Sequence, residues 1–353
     1  MAANDSSSSA SYAENDSKLT KINQSENFRE GKFQNYIPWD EPGVSSWMKT
    51  GLKFLFSKEE RVPKITLPTV PVNILKFSET SDNNLNATWL GHSSLMINID
   101  GIKILVDPVL ETKVSFFGPT RYNGDVPLNP GHLPEIDLVL ITHNHYDHLN
   151  KFSIKLLKEK TKMFITPLAV GAELEGWGIK RDRIIEMDWW EELSLFDSLK
   201  IAFTPTQHFS GRSMSDRNKT LWGSYVVESP NHKIYLSGDS GYSETFKKIG
   251  EKYGPFDMTF MECGAYNEKW HHIHMYPEET VQAHLDLKGK VLHPIHWGTF
   301  NLSLHAWNEP MERFIKAAEL NNISYAIPVV GSTVEYPDNL PTAKWWRLDN
   351  EKN

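Results

Sequence analysis

The chain has 353 residues, of which 39% are hydrophobic and 23% charged, and its formal net charge is −8. These values exclude collagen and a wholly disordered chain. A single cysteine, Cys263, excludes an intrachain disulfide framework and a cysteine-based zinc finger. The acidic balance argues against broad nucleic-acid binding, which needs a basic face. No apolar run is long enough for a transmembrane helix, and the N-terminus lacks the apolar core of a signal peptide, so cytoplasmic, periplasmic and peripheral membrane locations stay open.

The sequence divides into three parts. Residues 1–30 are rich in Ser, Asn, Asp and Glu and are predicted to form a disordered tail. Residues 31–85 are predicted to form an N-terminal arm. Within it, 47–56 carries apolar residues on one helical face with lysines nearby, which is typical either of a helix at a membrane interface or of one packed on the domain. Residues 86–345 are predicted to form the folded domain.

The folded domain is predicted to mix short strands with helices. The predicted strands are Ala87–Leu90, Leu95–Ile99, Ile102–Val106, 138–141, Ile201–Phe203, Gly223–Val227, Lys233–Leu236 and Asp257–Met261. The predicted helices are 152–160, Ser243–Tyr253, Pro277–Leu287 and Trp307–Leu320. Because strands and helices alternate along the chain, the fold class is α/β or α+β.

A cluster of metal-binding side chains follows the apolar strand 138–141. His143, His145, Asp147 and His148 fall within six residues of one loop. Imidazole nitrogens and carboxylate oxygens are good ligands for zinc-like cations. The alternative, a solvated polar loop, explains this pattern poorly, since it follows a buried strand directly. The sequence therefore predicts a metal site on this loop.

Three further candidate ligands lie just beyond other predicted strands: His208, Asp239 and, after a further strand-like run at 291–295, His296. Taken singly, each residue could instead have a structural role, as the cap of a turn, a histidine in the core or an aspartate in a loop. Their shared position after strands favours ligands, and a carboxylate such as Asp239 could bridge two cations through its two oxygens.

The loop 143–148 resembles the H-x-H-x-D-H loop of the metallo-β-lactamase superfamily. The resemblance implies a four-layer αββα sandwich with two divalent metal ions, Zn²⁺ being the first choice, at the strand ends. One metal would take His143, His145 and His208, the other would take Asp147, His148 and His296, and Asp239 would bridge them.

Several segments are similar to the branch that hydrolyses N-acylphosphatidylethanolamine as a phospholipase D. They are 89–92, 142–148, 204–208, 221–224, 238–242, 264–266, 277–279 and 295–300. The resemblance implies hydrolysis to phosphatidic acid and N-acylethanolamine. It implies a catalytic role for Asp147, a metal ligand that could orient the nucleophile. His274 would contact phosphate or act as the leaving-group acid, and Tyr266 would contact substrate.

Two departures from the branch leave the substrate open: Glu262-Cys263, and the segment 271–276. The main alternative is a soluble hydrolase of the same fold acting on a lactone or a small phosphodiester. A nuclease fits the acidic balance poorly, and a lipid-binding protein with a relic site fits the full set of seven ligand positions poorly. The partners expected are a phospholipid substrate and a membrane surface, and both a monomer and a homodimer stay open. His92 either orients a ligand or simply occupies a turn.

Overall fold

The computed structural model describes residues 20–39, 59–116, 118–213 and 215–350. Two seven-stranded sheets dominate these residues. The predicted helix 47–56 and residues 1–19 of the predicted tail lie outside the described residues.

The first sheet is built mainly from the N-terminal half of the domain. Its strands are β3 (Leu85–Trp89), β4 (Leu95–Ile99), β5 (Ile102–Val106), β6 (Ile136–Leu140), β7 (Thr161–Pro167), β8 (Ile184–Met187) and, from the C-terminus, β16 (Thr333–Tyr336). The spatial order is β16-β3-β4-β5-β6-β7-β8. Pairing is antiparallel from β16 to β5 and parallel from β5 to β8.

The second sheet repeats this plan. Its strands are β9 (Glu192–Leu195), β10 (Leu199–Thr204), β11 (Ser224–Glu228), β12 (Lys233–Leu236), β13 (Phe256–Glu262), β14 (Gly289–Ile295) and β15 (Ser324–Tyr325). The spatial order is β15-β14-β13-β12-β11-β10-β9, antiparallel from β9 to β12 and parallel from β12 to β15.

Helices cover the outer faces of the sheets. They are α1 (Ile74–Phe77), α2 (Lys151–Leu157) and α3 (Gly171–Gly176) on the first sheet, and α4 (Thr245–Lys252), α5 (Pro277–Asp286) and α6 (Glu309–Leu320) on the second. Alternation within strands separates two cores. Leu138 and Leu140 face the core between the sheets, whereas Val139 packs with Ile154 and Leu157 of α2. This four-layer sandwich confirms the predicted fold class.

The part of the chain that packs on the domain begins closer to the N-terminus than the composition of residues 1–30 indicates. Strands β1 (Phe28–Arg29) and β2 (Lys32–Phe33) form a hairpin. Phe33 is fully buried in the larger hydrophobic core, and Lys21 pairs with Glu191 at 2.8 Å. The free energy gained by burying a few apolar side chains on the domain is enough to order this segment, although most of its residues are polar.

Strand direction determines where functional side chains can meet. In the first sheet β3, β5 and β6 run the same way, and in the second β10, β12, β13 and β14 do so. The carboxyl ends of such strands share one edge, where ligands of α/β sheets commonly bind. Every predicted metal ligand follows one of these strands.

Candidate metal centre

The turn after β6 presents four of the predicted ligands. The N–H groups of His148 and Leu149 both donate to the carbonyl oxygen of His145, at 3.1 and 2.8 Å. Before them, the Thr142 hydroxyl donates to the Asp107 carboxylate at 2.6 Å. These bonds fold the loop into a compact turn whose side chains converge instead of spreading into solvent.

The first ligand set combines this loop with β10. His143 Nε2 lies 2.9 Å from His145 Nδ1, and His208 Nε2 lies 3.3 Å from the same atom. With metal–nitrogen bonds of about 2.0–2.1 Å, two ligands of a tetrahedral ion are separated by roughly 3.3 Å. The three nitrogens therefore have the spacing of ligands to one ion.

The second set combines the loop with β14. The carboxylate oxygen Oδ2 of Asp147 lies 3.7 Å from Nε2 of both His148 and His296. Their ligand atoms, together with one of His92, all lie within 4.8 Å of one another. This is the grouping that the superfamily resemblance implies for a second metal.

Asp239 lies between the two sets. Its Oδ2 atom is 3.8 and 3.7 Å from Nε2 of His143 and His208 on one side. On the other side it is 3.2 and 3.1 Å from Nε2 of His148 and His296. One carboxylate oxygen thus approaches ligands of both sets, the position that a bridging carboxylate requires.

The chemistry of this centre fits bound cations. Asp239 Oδ1, His148 Nε2 and both ring nitrogens of His296 are buried and lack a hydrogen bond. Buried polar atoms without partners are costly, and cations bound here would satisfy Asp239 Oδ1 and the Nε2 atoms of His148 and His296. The structure brings all seven predicted ligands together, while their roles as metal ligands stay predictions.

The electrostatics of the centre also favour cation binding. Burial lowers the pKa of His145 to about 4 and that of His208 well below its usual value, so both rings are neutral ligands at pH 7. Burial acts in the same direction on His296, but the carboxylates of Asp239 and Asp147 outweigh it and raise its pKa to about 10. A divalent cation would take the place of that proton, because metal and proton compete for one nitrogen.

Hydrogen bonds from residues outside the seven predicted ligands orient two of these ligands. His148 Nδ1 lies 2.7 Å from Asp107 Oδ2, and His92 Nε2 lies 2.9 Å from Asp147 Oδ2. Such bonds fix ring orientation and tautomer in metal sites. They support the orienting interpretation of His92. Asp107 was not among the predicted site residues, although an aspartate directly after a strand was a usable signal.

Three residues at or beside the centre have a left-handed backbone conformation. His92, Asp107 and His296 have φ values of 54, 40 and 66°. Residues other than glycine rarely adopt this left-handed region of backbone conformation, and those that do are often found at functional sites. Close backbone approach matters too, since a Cβ on Gly264 would meet the His296 carbonyl oxygen at 2.2 Å.

The two predicted substrate contacts lie in different surroundings. His274 faces the centre, with a ring nitrogen within 4.8 Å of ligand atoms of His208 and Asp239. Tyr266 is buried, and its hydroxyl donates to Glu309 at 2.8 Å. The described contacts of Tyr266 are therefore structural, and its substrate role stays a prediction.

Sequence comparison places the chain in a family. The Beta-lactamase superfamily domain matches residues 103–297. An uncharacterized protein of Mycobacterium tuberculosis is 38% identical over 339 residues, 92% of this chain and 88% of that protein. N-acyl-phosphatidylethanolamine-hydrolyzing phospholipase D 1 of Caenorhabditis elegans is 35% identical over 298 residues, 77% of this chain and 82% of that protein. A mitochondrial protein of the same description from Saccharomyces cerevisiae is 32% identical, covering 66% of this chain and 51% of that protein.

Solved structures show the same fold. Igni18, a metallo hydrolase from Ignicoccus hospitalis, superposes with a TM-score of 0.55 at 22% identity, covering 72% of this chain and 99% of that one. An isothiocyanate hydrolase from Delia radicum gut bacteria gives a TM-score of 0.57 at 21% identity, covering 70% and 98%.

The chain is therefore a metal-dependent hydrolase of the metallo-β-lactamase superfamily. Within it, the chain belongs to the branch that resembles N-acylphosphatidylethanolamine-hydrolysing phospholipase D, and both steps of the predicted resemblance are confirmed. In the part of the chain that the structure describes, no helix has the length and apolar character needed to cross a bilayer.

Proposed function

We propose that this protein is a two-metal phosphodiesterase that hydrolyses N-acylphosphatidylethanolamine to phosphatidic acid and an N-acylethanolamine. The observation that carries the proposal is the Asp239 carboxylate, whose Oδ2 lies within 3.8 Å of nitrogens from both ligand sets. The substrate is inferred from the relatives that carry this activity in their names.

Two divalent cations, with zinc as the first choice, would supply Lewis acidity and lower the pKa of a water molecule. His143, His145 and His208 would hold one, and Asp147, His148 and His296 the other. The three-histidine set contains only nitrogen ligands, which suits zinc, although iron and manganese accept such sites too.

The side chains around the centre can perform the remaining steps. Asp147 accepts a hydrogen bond from His92, and its carboxylate can also accept one from an attacking water. The water oxygen would attack phosphorus, and the bond from phosphorus to the ethanolamine oxygen would break. His274 would donate a hydrogen bond to a phosphoryl oxygen or a proton to the leaving oxygen.

A pocket beside the centre reaches His296, and its lining combines aromatic side chains such as Tyr122, Phe300 and Trp307 with the polar side chains of Ser303 and His305. Its free volume is about 20 Å³, roughly the space of one water molecule, so it does not accommodate an acyl chain. The substrate inference therefore rests on the relatives and not on this pocket.

We also propose that the protein contacts the membrane beside this centre. Helix α2 begins three residues after His148 and exposes Phe152 and Leu156, one turn apart. Lys151 and Lys155 are exposed on the same short helix. Apolar side chains flanked by lysines suit an anionic bilayer surface, and a chain of net charge −8 needs such a local basic patch. The segment 47–56 remains a second candidate for this contact.

Product analysis by mass spectrometry tests the proposed reaction. Purified protein is given N-acylphosphatidylethanolamine in mixed micelles, with and without a chelator, beside D239N. D182N is the matched control, because Asp182 is exposed and precedes β8 at the opposite edge of the sheet. We expect equimolar phosphatidic acid and N-acylethanolamine from the wild type and D182N, and neither product with chelator or in D239N. No release by a metal-loaded wild type would overturn the proposed substrate.

A further inference from the structure

A buried carboxylate joins the two segments in which this chain departs from the phospholipase D pattern. Glu262 is the last residue of β13 and is fully buried. Its Oε2 atom lies 2.9 Å from His274 Nδ1, and its Oε1 atom accepts a hydrogen bond from the Met275 N–H at 2.7 Å. The departures at 262 and 271–276 are thus one structural feature.

This arrangement specifies which ring nitrogen of His274 is free. With Nδ1 facing Glu262, the other nitrogen, Nε2, has no hydrogen bond among the described residues. The His274 ring centre lies 5.2 Å from that of His208 and 5.3 Å from that of His296, so the ring stands directly beside both ligand sets. Nε2 is therefore the atom available to a substrate.

Glu262 is itself held firmly. Its backbone N–H donates to the Ser237 hydroxyl at 2.9 Å, and its carbonyl oxygen accepts from the Thr280 hydroxyl at 2.8 Å. Hydrogen bonds thus fix both backbone groups of this residue, and two more fix its carboxylate. A carboxylate held in this way can restrict a partner ring to a narrow range of orientations.

We infer that Glu262 is a positioning residue for catalysis: it holds His274 through Nδ1 and directs Nε2 to the phosphoryl group or its leaving oxygen. This inference rests on the proposed function for its substrate, and on the observed contacts for its geometry. Glu262 does not itself touch substrate, so its effect must pass through His274.

A double-mutant cycle on lipid hydrolysis tests this dependence. The variants are E262Q, H274A and the double variant. E268Q is the matched control, because Glu268 is an exposed glutamate in the same segment. Glutamine keeps the shape but offers one acceptor oxygen where two bonds need acceptors. We expect kcat to fall about 10²-fold in H274A and at least tenfold in E262Q, with KM changed less than about threefold. E262Q should then add little in the H274A background.

Three outcomes of this cycle would overturn the inference. Additive losses in the double variant would mean that Glu262 acts without His274, for example by anchoring Met275 alone. Unchanged kcat in E262Q would mean that the contact has no catalytic role. Metal content is measured in every variant, since Glu262 Oε2 also lies 3.9 Å from His296 Nδ1. A fall in bound metal that matches the fall in kcat would assign the effect to His296 instead.

A second readout does not depend on activity. In chelator-treated protein labelled with ¹⁵N-histidine, the shared Nδ1–H of His274 should give a downfield proton signal that H274A removes and E262Q shifts or removes. Its absence from the wild type would contradict the geometry. If the wild type gives this signal but hydrolyses no lipid, the proposed substrate fails while the positioning contact stands.

Discussion

The Asp107 carboxylate lies 2.7 Å from Nδ1 of His148, and this contact turns Nε2 of the same ring toward Asp239 at 3.2 Å. The same carboxylate accepts hydrogen bonds from the backbone N–H and the hydroxyl of Thr142. Asp107 therefore fixes both the start of the ligand loop and the orientation of one of its ligands.

Replacing Asp107 with asparagine should weaken metal binding. The amide offers one acceptor oxygen for three donors and presents N–H groups to His148, so the ring loses its fixed orientation. Loss of such an orienting partner typically lowers metal affinity by 10–100-fold. Competition with a fluorescent chelator measures the affinity, D182N is the control, and equal affinity in D107N would contradict this account.

Removing metal should destabilise the protein. The unpartnered atoms of His148, His296 and Asp239 have no other ligand in the described structure, and a cation bound only to the folded state adds stability. With free metal at about 1,000 times its dissociation constant, the gain is about 4 kcal/mol. Thermal unfolding with and without chelator measures it. D239N should show a smaller difference than the wild type, and identical melting temperatures in both conditions would exclude a buried metal centre.

Replacing Phe152 and Leu156 together by serine should reduce membrane binding. Both side chains are exposed, so the free energy of unfolding should change little. Each apolar side chain that becomes fully buried in the membrane contributes about 1.5–3 kcal/mol of transfer free energy, and serine would not supply it. Sedimentation with anionic vesicles measures binding. The control replaces Leu285 and Leu320, two exposed leucines of α5 and α6, by serine. Equal vesicle binding by the wild type and the α2 variant would assign membrane contact to another surface.

Acid should destabilise the fold through His284, which lies on α5 with Nδ1 2.6 Å from the Thr259 hydroxyl. Burial lowers its pKa to about 4, below the 6.5 of an exposed histidine. The unfolded chain therefore takes up the proton first as pH falls. The stability from the neutral ring is fully present above pH 6.5 and declines toward pH 4, with about 2 kcal/mol lost by pH 5.

Urea unfolding of chelator-treated protein at pH 7 and pH 5 isolates this contribution. H284Q should lose less stability between the two pH values than the wild type does. H132Q, which alters an exposed histidine, should behave as the wild type. The same pH dependence in H284Q and wild type would show that the buried ring does not titrate in this range.

Much of the architecture followed from local pattern. The strands near 95–106 and 138–141 were recognisable because apolar runs end at turn residues, and β4 and β5 have the predicted bounds. Strands β7, β8 and β9 carry mixed polar and apolar residues and were missed. Their pairing comes from neighbouring strands, which a local window does not contain.

The ligand loop was determined by sequence alone, because His143, His145, Asp147 and His148 are neighbours in the chain and any fold that buries them must bring them together. The orienting contacts could only come from tertiary structure. Asp107 and His148 are 41 residues apart, and Glu262 and His274 are 12 apart across a strand end and a loop. The hydroxyl of Tyr266 meets Glu309 from a distant helix, 43 residues on. A side chain's type limits what it can bind, but the packing of the two sheets decides which partner comes within hydrogen-bonding distance, since that depends on the strand order and register of the whole sandwich.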